Sequence, residues 1–248
     1  MTRSFSHQFE GRIWKMDIHE ETGLLGIEWR TEEGVPHFSV IHYPDGNLLL
    51  ADFSYGDRWW TLAGITAESL LLQHFPQPNQ AHTRGLVAID ILQQKIRWER
   101  FDLQFVEVVQ EGIAVQPGYL EPHQVMVFTD QDNKPLFQTI SLDQLTPLSR
   151  GIQSAQPTDA VPATMLSENP VVGPYFYLPH QGKELWAYHE ADGPSFKLML
   201  AILENGRIVY QDCLADKLSY LLPEVFFTIG QQLFFIRNNK QEIVSYFV

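Results

Sequence analysis

Apolar residues in this chain fall in short runs of strand length, and none approaches the eighteen or so uninterrupted apolar positions of a membrane helix. LMLAIL at 198–203 is among the strongest of them. Close to twenty stretches are rich in aromatic and branched residues and read as β-strands, from RIWKMDIHE and GLLGIEWR to QLFFIRN and EIVSYFV. Between them lie Asp45-Gly46, Asp192-Gly193, Asn205-Gly206, Gly23 and Asn238-Asn239, which accept the positive φ of tight turns. Hairpins of this kind predict antiparallel sheets. Long amphipathic helical patterns are missing; SLDQL and DKLSYLL supply a turn or two at most.

Alternation refines the picture. In KIRWERF, Ile96 and Trp98 share one face while Arg97, Glu99 and Phe101 share the other; LLGIEWR alternates in the same way, and both predict outer strands with one wet face. NLLLADF and SLLLQHF are apolar on both faces, as expected of strands buried between neighbours. Grouping the strands in fours gives blocks near 12–54, 58–101, 103–141, 162–203 and 207–248, each the length of a propeller blade of about 40 residues. The expected fold is all-β: a five-bladed β-propeller of four-stranded antiparallel blades, forming one domain over residues 1–248. A six-bladed propeller or a two-sheet β-sandwich is the alternative. Residues 142–174, with Pro147, Pro157, Pro162, Pro170 and Pro174, are expected to be mostly a loop insertion. Such a loop serves function or marks a boundary between two smaller β domains.

Composition then bounds the partners. The 248 residues are 44% hydrophobic and 19% charged, enough for a sizeable core. A formal charge of -13 repels phosphate backbones and anionic headgroups, so neither nucleic acid nor a membrane is an expected partner. Cys213 is the lone cysteine and MTRSFSHQFEG lacks the apolar run of a signal peptide, which together predict a cytoplasmic location.

Two stretches share an Asp-turn-Trp layout: GLVAID then KIRW, with Asp90 and Trp98, and MDIHEETG then LLGIEW, with Asp17 and Trp29. This layout resembles the propeller repeats of pyrroloquinoline-quinone type. More closely, GRIWKMDIHEETGLLGIEWRTEE and the stretch from RWWTLAGIT to KIRW resemble an uncharacterised bacterial family of propeller-like domains of unknown function. The resemblance implies a fold and carries no activity, substrate or catalytic residue. The quinone enzymes hold cofactor and calcium with residues that have no placed counterpart here, so no cofactor is expected.

Catalytic and phosphate-binding motifs are absent: there is no G-x-S-x-G, no P-loop and no G-x-G-x-x-G. Cys213 lacks a neighbouring histidine and is expected to be a buried, inert thiol. None of the nine histidines has zinc-site spacing, so no metal is expected. His74 and His82 bracket HFPQPNQAH, with Arg84 beside them, a combination that permits an anion or sugar site. Trp60 and Tyr177 could add a stacking floor for a sugar ring or a hot spot for a protein partner, although core packing is the simpler reading of each aromatic run. Asp17, Glu28, Asp52, Asp90 and Asp130 are candidates for the paired carboxylates of a glycoside hydrolase. Against that, Asp90 and Asp130 end strands where Asp caps a turn, and Glu28 alternates with Arg30 as a solvated ion pair would. The expected function is a non-catalytic binding or protein-interaction scaffold, its protein, small-molecule or sugar ligand held on the loop face near the central channel. A carbohydrate-active enzyme is the alternative.

Overall fold

The computed structural model describes residues 1–75, 85–117, 123–131, 134–165 and 169–248. The chain opens with β1 (Thr2–Gln8) and continues through three four-stranded antiparallel sheets in strict chain order. The first holds β2 (Arg12–His19), β3 (Leu24–Arg30), β4 (Pro36–His42) and β5 (Asn47–Phe53). The second holds β6 (Trp60–Ile65), β7 (Ser69–His74), β8 (Leu86–Asp90) and β9 (Lys95–Arg100). The third holds β10 (Leu103–Val109), β11 (Gly112–Pro117), β12 (Gln124–Phe128) and β13 (Pro135–Ser141). Then come β14 (Ile152–Ser154), β15 (Gln156–Thr158), β16 (Val171–His180), β17 (Lys183–Asp192), β18 (Ser195–Glu204), β19 (Arg207–Leu218), β20 (Phe227–Ile229), β21 (Gln232–Arg237) and β22 (Glu242–Phe247). Two short 3-10 turns, Leu142–Gln144 and Ala163–Met165, are the helical elements among the described residues.

These strands form two compact units. Residues 9–150 hold the three four-stranded sheets. Its second sheet shows how a period of two builds the core. Leu70 and Leu72 of β7 pack with Leu24, Phe38, Val40 and Leu50 of the first sheet, while Leu71 between them packs with Val108, Ile113, Val115 and Phe128 of the third. Successive strand side chains point to opposite faces, so one leucine run serves two neighbours. Burying each such leucine stabilises by about 1.5–3 kcal/mol.

The other unit comprises residues 1–8 and 151–248 and holds two five-stranded antiparallel sheets, β15-β16-β17-β18-β19 and β1-β22-β21-β20-β14. Residues 152–158 supply an edge strand to each: Ile152 pairs with Ile229, and Gln156 with Tyr177. At the far edge of the second sheet β1 pairs with β22, bringing Thr2 opposite Phe247.

Five sheets were expected and five are present, but their composition differs from simple counting in fours. The strand at 207–218 closes the fourth sheet rather than opening the fifth, which draws β14 and β1 from distant parts of the chain. Residues 142–174 are less of a loop than their prolines predict, since they contain β14, β15, two 3-10 turns and the start of β16; the boundary between the units, at 150/151, lies within them. LLGIEWR is buried on both faces because β3 is second in its sheet, whereas NLLLADF is the largely exposed edge strand β5. SLLLQHF behaves as expected.

Candidate functional site

The unit of residues 9–150 has two chemically distinct clusters of side chains, one aromatic and one acidic. The first centres on Trp60. It stands opposite His74 on β7, and the two rings lie 4.9 Å apart. Tyr55 meets the same indole edge-on at 4.7 Å, and Trp60 is only 6% exposed. Gly56 permits this: it adopts φ +65, and a Cβ there would come within 2.3 Å of the Trp60 Nε1. Gly85, at φ +94, similarly leaves space for Phe101, whose ring is 60% exposed. His74 Nε2 approaches Asp57 Oδ1 at 3.4 Å, and the Tyr55 hydroxyl donates to Glu99. Burial, with that carboxylate beside it, drives the Tyr55 hydroxyl above its usual range, so it stays protonated as a donor.

Arg30 links this cluster to the first sheet. Its Nε donates to Glu28 Oε1 at 2.6 Å, Nη1 to the Arg58 carbonyl at 3.0 Å and Nη2 to the Trp60 carbonyl at 3.0 Å. Glu28 also accepts from the Thr61 hydroxyl at 2.5 Å and the Leu62 amide at 2.8 Å. Glu28 is fully buried, so the pair is not the solvated one its alternation predicts: the edge of β6 covers it and supplies the donors that replace water. Over the Arg30 guanidinium, 5.2 Å from its centre, lies Trp14. The β2–β3 register slips between Ile13 and Lys15, and this bulge presents Trp14 68% exposed.

The second cluster is acidic. Arg97 reaches Glu68 Oε2 and Asp90 Oδ2, each at 2.6 Å, and lies 3.9 Å from Asp130 Oδ1. Asp90 also accepts from the amides of Leu92 and Gln93, and Asp130 from the Thr66 hydroxyl. Asp17 accepts from Arg150 Nε at 2.6 Å and the Ile65 amide at 3.1 Å. Burial works to raise the Asp90 carboxyl, but Arg97 and the two amides outweigh it and hold the group below the usual carboxylate range. The arrangement therefore favours charged Asp90 and opposes the protonated form a general acid needs. Among the described residues no group of three or more His, Cys, Asp or Glu is placed to hold a metal ion.

The structure thus brings together Trp60 and His74. His82 and Arg84 lie outside the described residues. Tyr177 belongs to the other unit, half-buried with its ring 4.6 Å from that of Trp186. Of the five carboxylates, Asp90 and Asp130 converge on Arg97; Asp52 stands on edge strand β5 with φ 49. Cys213 is exposed on edge strand β19 rather than buried, and partial burial of the thiol still raises its pKa, which disfavours a nucleophilic thiolate. Sequence reasoning missed Trp14, whose only signal is an apolar residue out of step in RIWKMDIH.

Residues 18–98 match a family described as a domain of unknown function (DUF4905), a region that holds the Asp90/Trp98 pair and Trp29, with Asp17 just before it. No curated protein matches the chain. Among solved structures, it is similar to a chain from a study of two prolyl endopeptidases, with 13% identity, TM-score 0.32 and 92% of this chain covered. A second is a Mycobacterium tuberculosis puromycin-hydrolyzing peptidase, with 14% identity, TM-score 0.23 and 95% covered. The chain spans 32% and 38% of their respective lengths. No helix among the described residues is long and apolar enough to cross a membrane.

Proposed function

We propose that the chain is a five-bladed β-propeller forming one domain, and that it acts as a non-catalytic binding scaffold. Five sheets in near-serial order support the fold, together with the pairing of β1 with β22, the way a propeller's first strand completes its last blade. The Asp17/Trp29 and Asp90/Trp98 pairs support a distant kinship with quinone-type repeats. A cytoplasmic location goes with the lone cysteine.

The ligand site of this proposal is the aromatic cluster of Trp60, His74, Tyr55 and Phe101. One observation carries it: Tyr55 and the His74 ring close over the buried Trp60 beside the exposed Phe101, while the acidic cluster engages most of its carboxylate oxygens with its own arginines, amides and hydroxyls. The test is calorimetric titration with a panel of neutral and acidic oligosaccharides. Binding is expected, weakened at least tenfold by His74→Ala or Phe101→Ala and unchanged by Asp90→Asn. Turnover of a chromogenic glycoside that Asp90→Asn or Asp130→Asn abolishes would instead establish the hydrolase reading.

A further inference from the structure

The geometry points to a specific ligand class for the aromatic cluster: an acidic oligosaccharide, held on Trp14 and the arginines around it. This rests on the binding-scaffold reading and names its ligand. Trp14 is 68% exposed on the bulge of β2. Its platform is rigid, because the guanidinium beneath it is fixed at three donors by Glu28 and the carbonyls of Arg58 and Trp60. An indole so mounted offers a stacking face at little entropic cost.

Arg30 is committed to Glu28, but two further arginines are not ion-paired among the described residues. Arg12 stands directly opposite Arg30 in the β2–β3 ladder, a like-charge pairing that costs stability. Arg58 is exposed, its guanidinium over the Trp59 ring at 5.3 Å. Neither Arg12 nor Arg58 has an acidic partner among the described residues, although the chain holds thirty Asp and Glu against seventeen Lys and Arg. An anion beside Arg12 would relieve its repulsion of Arg30.

A uronate residue matches both halves of the surface. The C–H face of its pyranose ring stacks on an indole, and its carboxylate takes the paired N–H donors of a guanidinium. The overall charge of -13 does not forbid it: beyond a Debye length of about 8 Å at physiological salt the distant acids are largely screened, and of the acids in the cluster Glu28 is engaged by Arg30, Glu99 by Tyr55 and Asp57 by the Trp59 amide and His74.

The experiment is calorimetric titration of the full chain with tetragalacturonate, cellotetraose and a polyglutamate peptide at low and physiological salt. Tetragalacturonate is expected to bind in preference to both others, with affinity falling as salt rises. Trp14→Ala should weaken it at least tenfold and Trp14→Phe should retain most of it. The Arg12→Gln, Arg58→Gln double variant should lose about tenfold and flatten the salt dependence. Each altered side chain is exposed, and a melting curve checks that the variants fold. Failure of tetragalacturonate to bind, insensitivity to Trp14→Ala, or equal binding of the peptide would overturn the inference. Binding of cellotetraose alone, lost in His74→Ala, would overturn it while leaving the scaffold reading intact.

Discussion

In the acidic cluster of the three-sheet unit most carboxylates are paired with an arginine, an amide or a hydroxyl, although Asp130 Oδ1 is buried without a hydrogen-bond partner; in the aromatic cluster several groups are left uncommitted. Asp17 has Arg150, Asp90 and Glu68 share Arg97, Asp130 has Thr66 and Glu20 has Ser149. Trp14, Phe101 and Arg12 are instead turned to solvent. The contrast teaches that titratable density is a poor guide to a site. Where acids and arginines satisfy each other they hold strands and turns together, whereas unspent aromatic and cationic groups supply binding free energy to something else.

The largest effect is expected from removing Glu28, which serves both the fold and the Trp14 platform. Glu28→Ala leaves Arg30 facing the Arg58 and Trp60 carbonyls without its carboxylate. Loss of one partner from a buried, hydrogen-bonded pair costs about 3–5 kcal/mol, to be read from the urea midpoint. A change below about 1 kcal/mol would show that the pair is peripheral. Next is Arg97→Ala, which leaves Asp90, Glu68 and Asp130 without their shared cation; a loss of about 2 kcal/mol is expected from its charge-assisted hydrogen bonds.

Acid should act in two stages. Burial lowers the pKa of His19, His180 and His189, so these groups resist protonation in the fold. Their contribution is complete above the free histidine value of about 6.5 and is lost as pH falls through the folded values. His189 shows why: its Nε2 accepts the Leu222 amide at 3.1 Å, which a protonated ring cannot do. Arg97 holds Glu68 low, and Arg237 holds Glu242 low, so their contributions are complete above about 4 and are lost as pH drops further. Urea midpoints should be flat above pH 7 or so, decline below about 6.5 and decline again below about 4. A midpoint that rises on acidification from neutrality would contradict these assignments.

The smallest effect sharpens the contrast most. Arg12→Gln removes a charge lying opposite Arg30, and the urea midpoint should change by no more than a few tenths of a kcal/mol, toward greater stability. A clear destabilisation would mean that Arg12 has a structural partner, as the acids of the other cluster do.

Much of the architecture is legible in the sequence because hydrophobic alternation and turn chemistry are local. The first three sheets follow the blocks at 12–54, 58–101 and 103–141 to within a few residues. The last two are not legible by counting, because their edges are non-local. Thr2–Gln8 is polar at most positions and finds its partner at the opposite end of the chain, and Ile152–Ser154 and Gln156–Thr158 are three-residue strands with little apolar signal. Exposure fails for the same reason: LLGIEWR and NLLLADF differ less in pattern than in whether their strand is internal or at an edge. Within the candidate site, Trp60 is legible as half of an aromatic doublet and His74 as a titratable residue beside a proline-containing connection. Trp14 is not, since a bulge is a property of two strands together, and neither is Glu28, whose burial depends on β6 arriving some thirty residues later.

Ligand binding by the aromatic cluster can be tested in one spectrum, because the chain carries six tryptophans. Trp98 reports on the acidic cluster, where its indole N–H donates to the Asp130 carbonyl at 3.0 Å, and Trp186 reports on the other unit. The measurement is an indole N–H correlation spectrum of the full chain, assigned by single Trp→Phe variants and titrated with the oligosaccharide panel. The expected result is movement of the Trp14, Trp59 and Trp60 signals with Trp98 and Trp186 unchanged. Movement of Trp98 or Trp186 while those three stay fixed would place the binding site elsewhere and contradict the account.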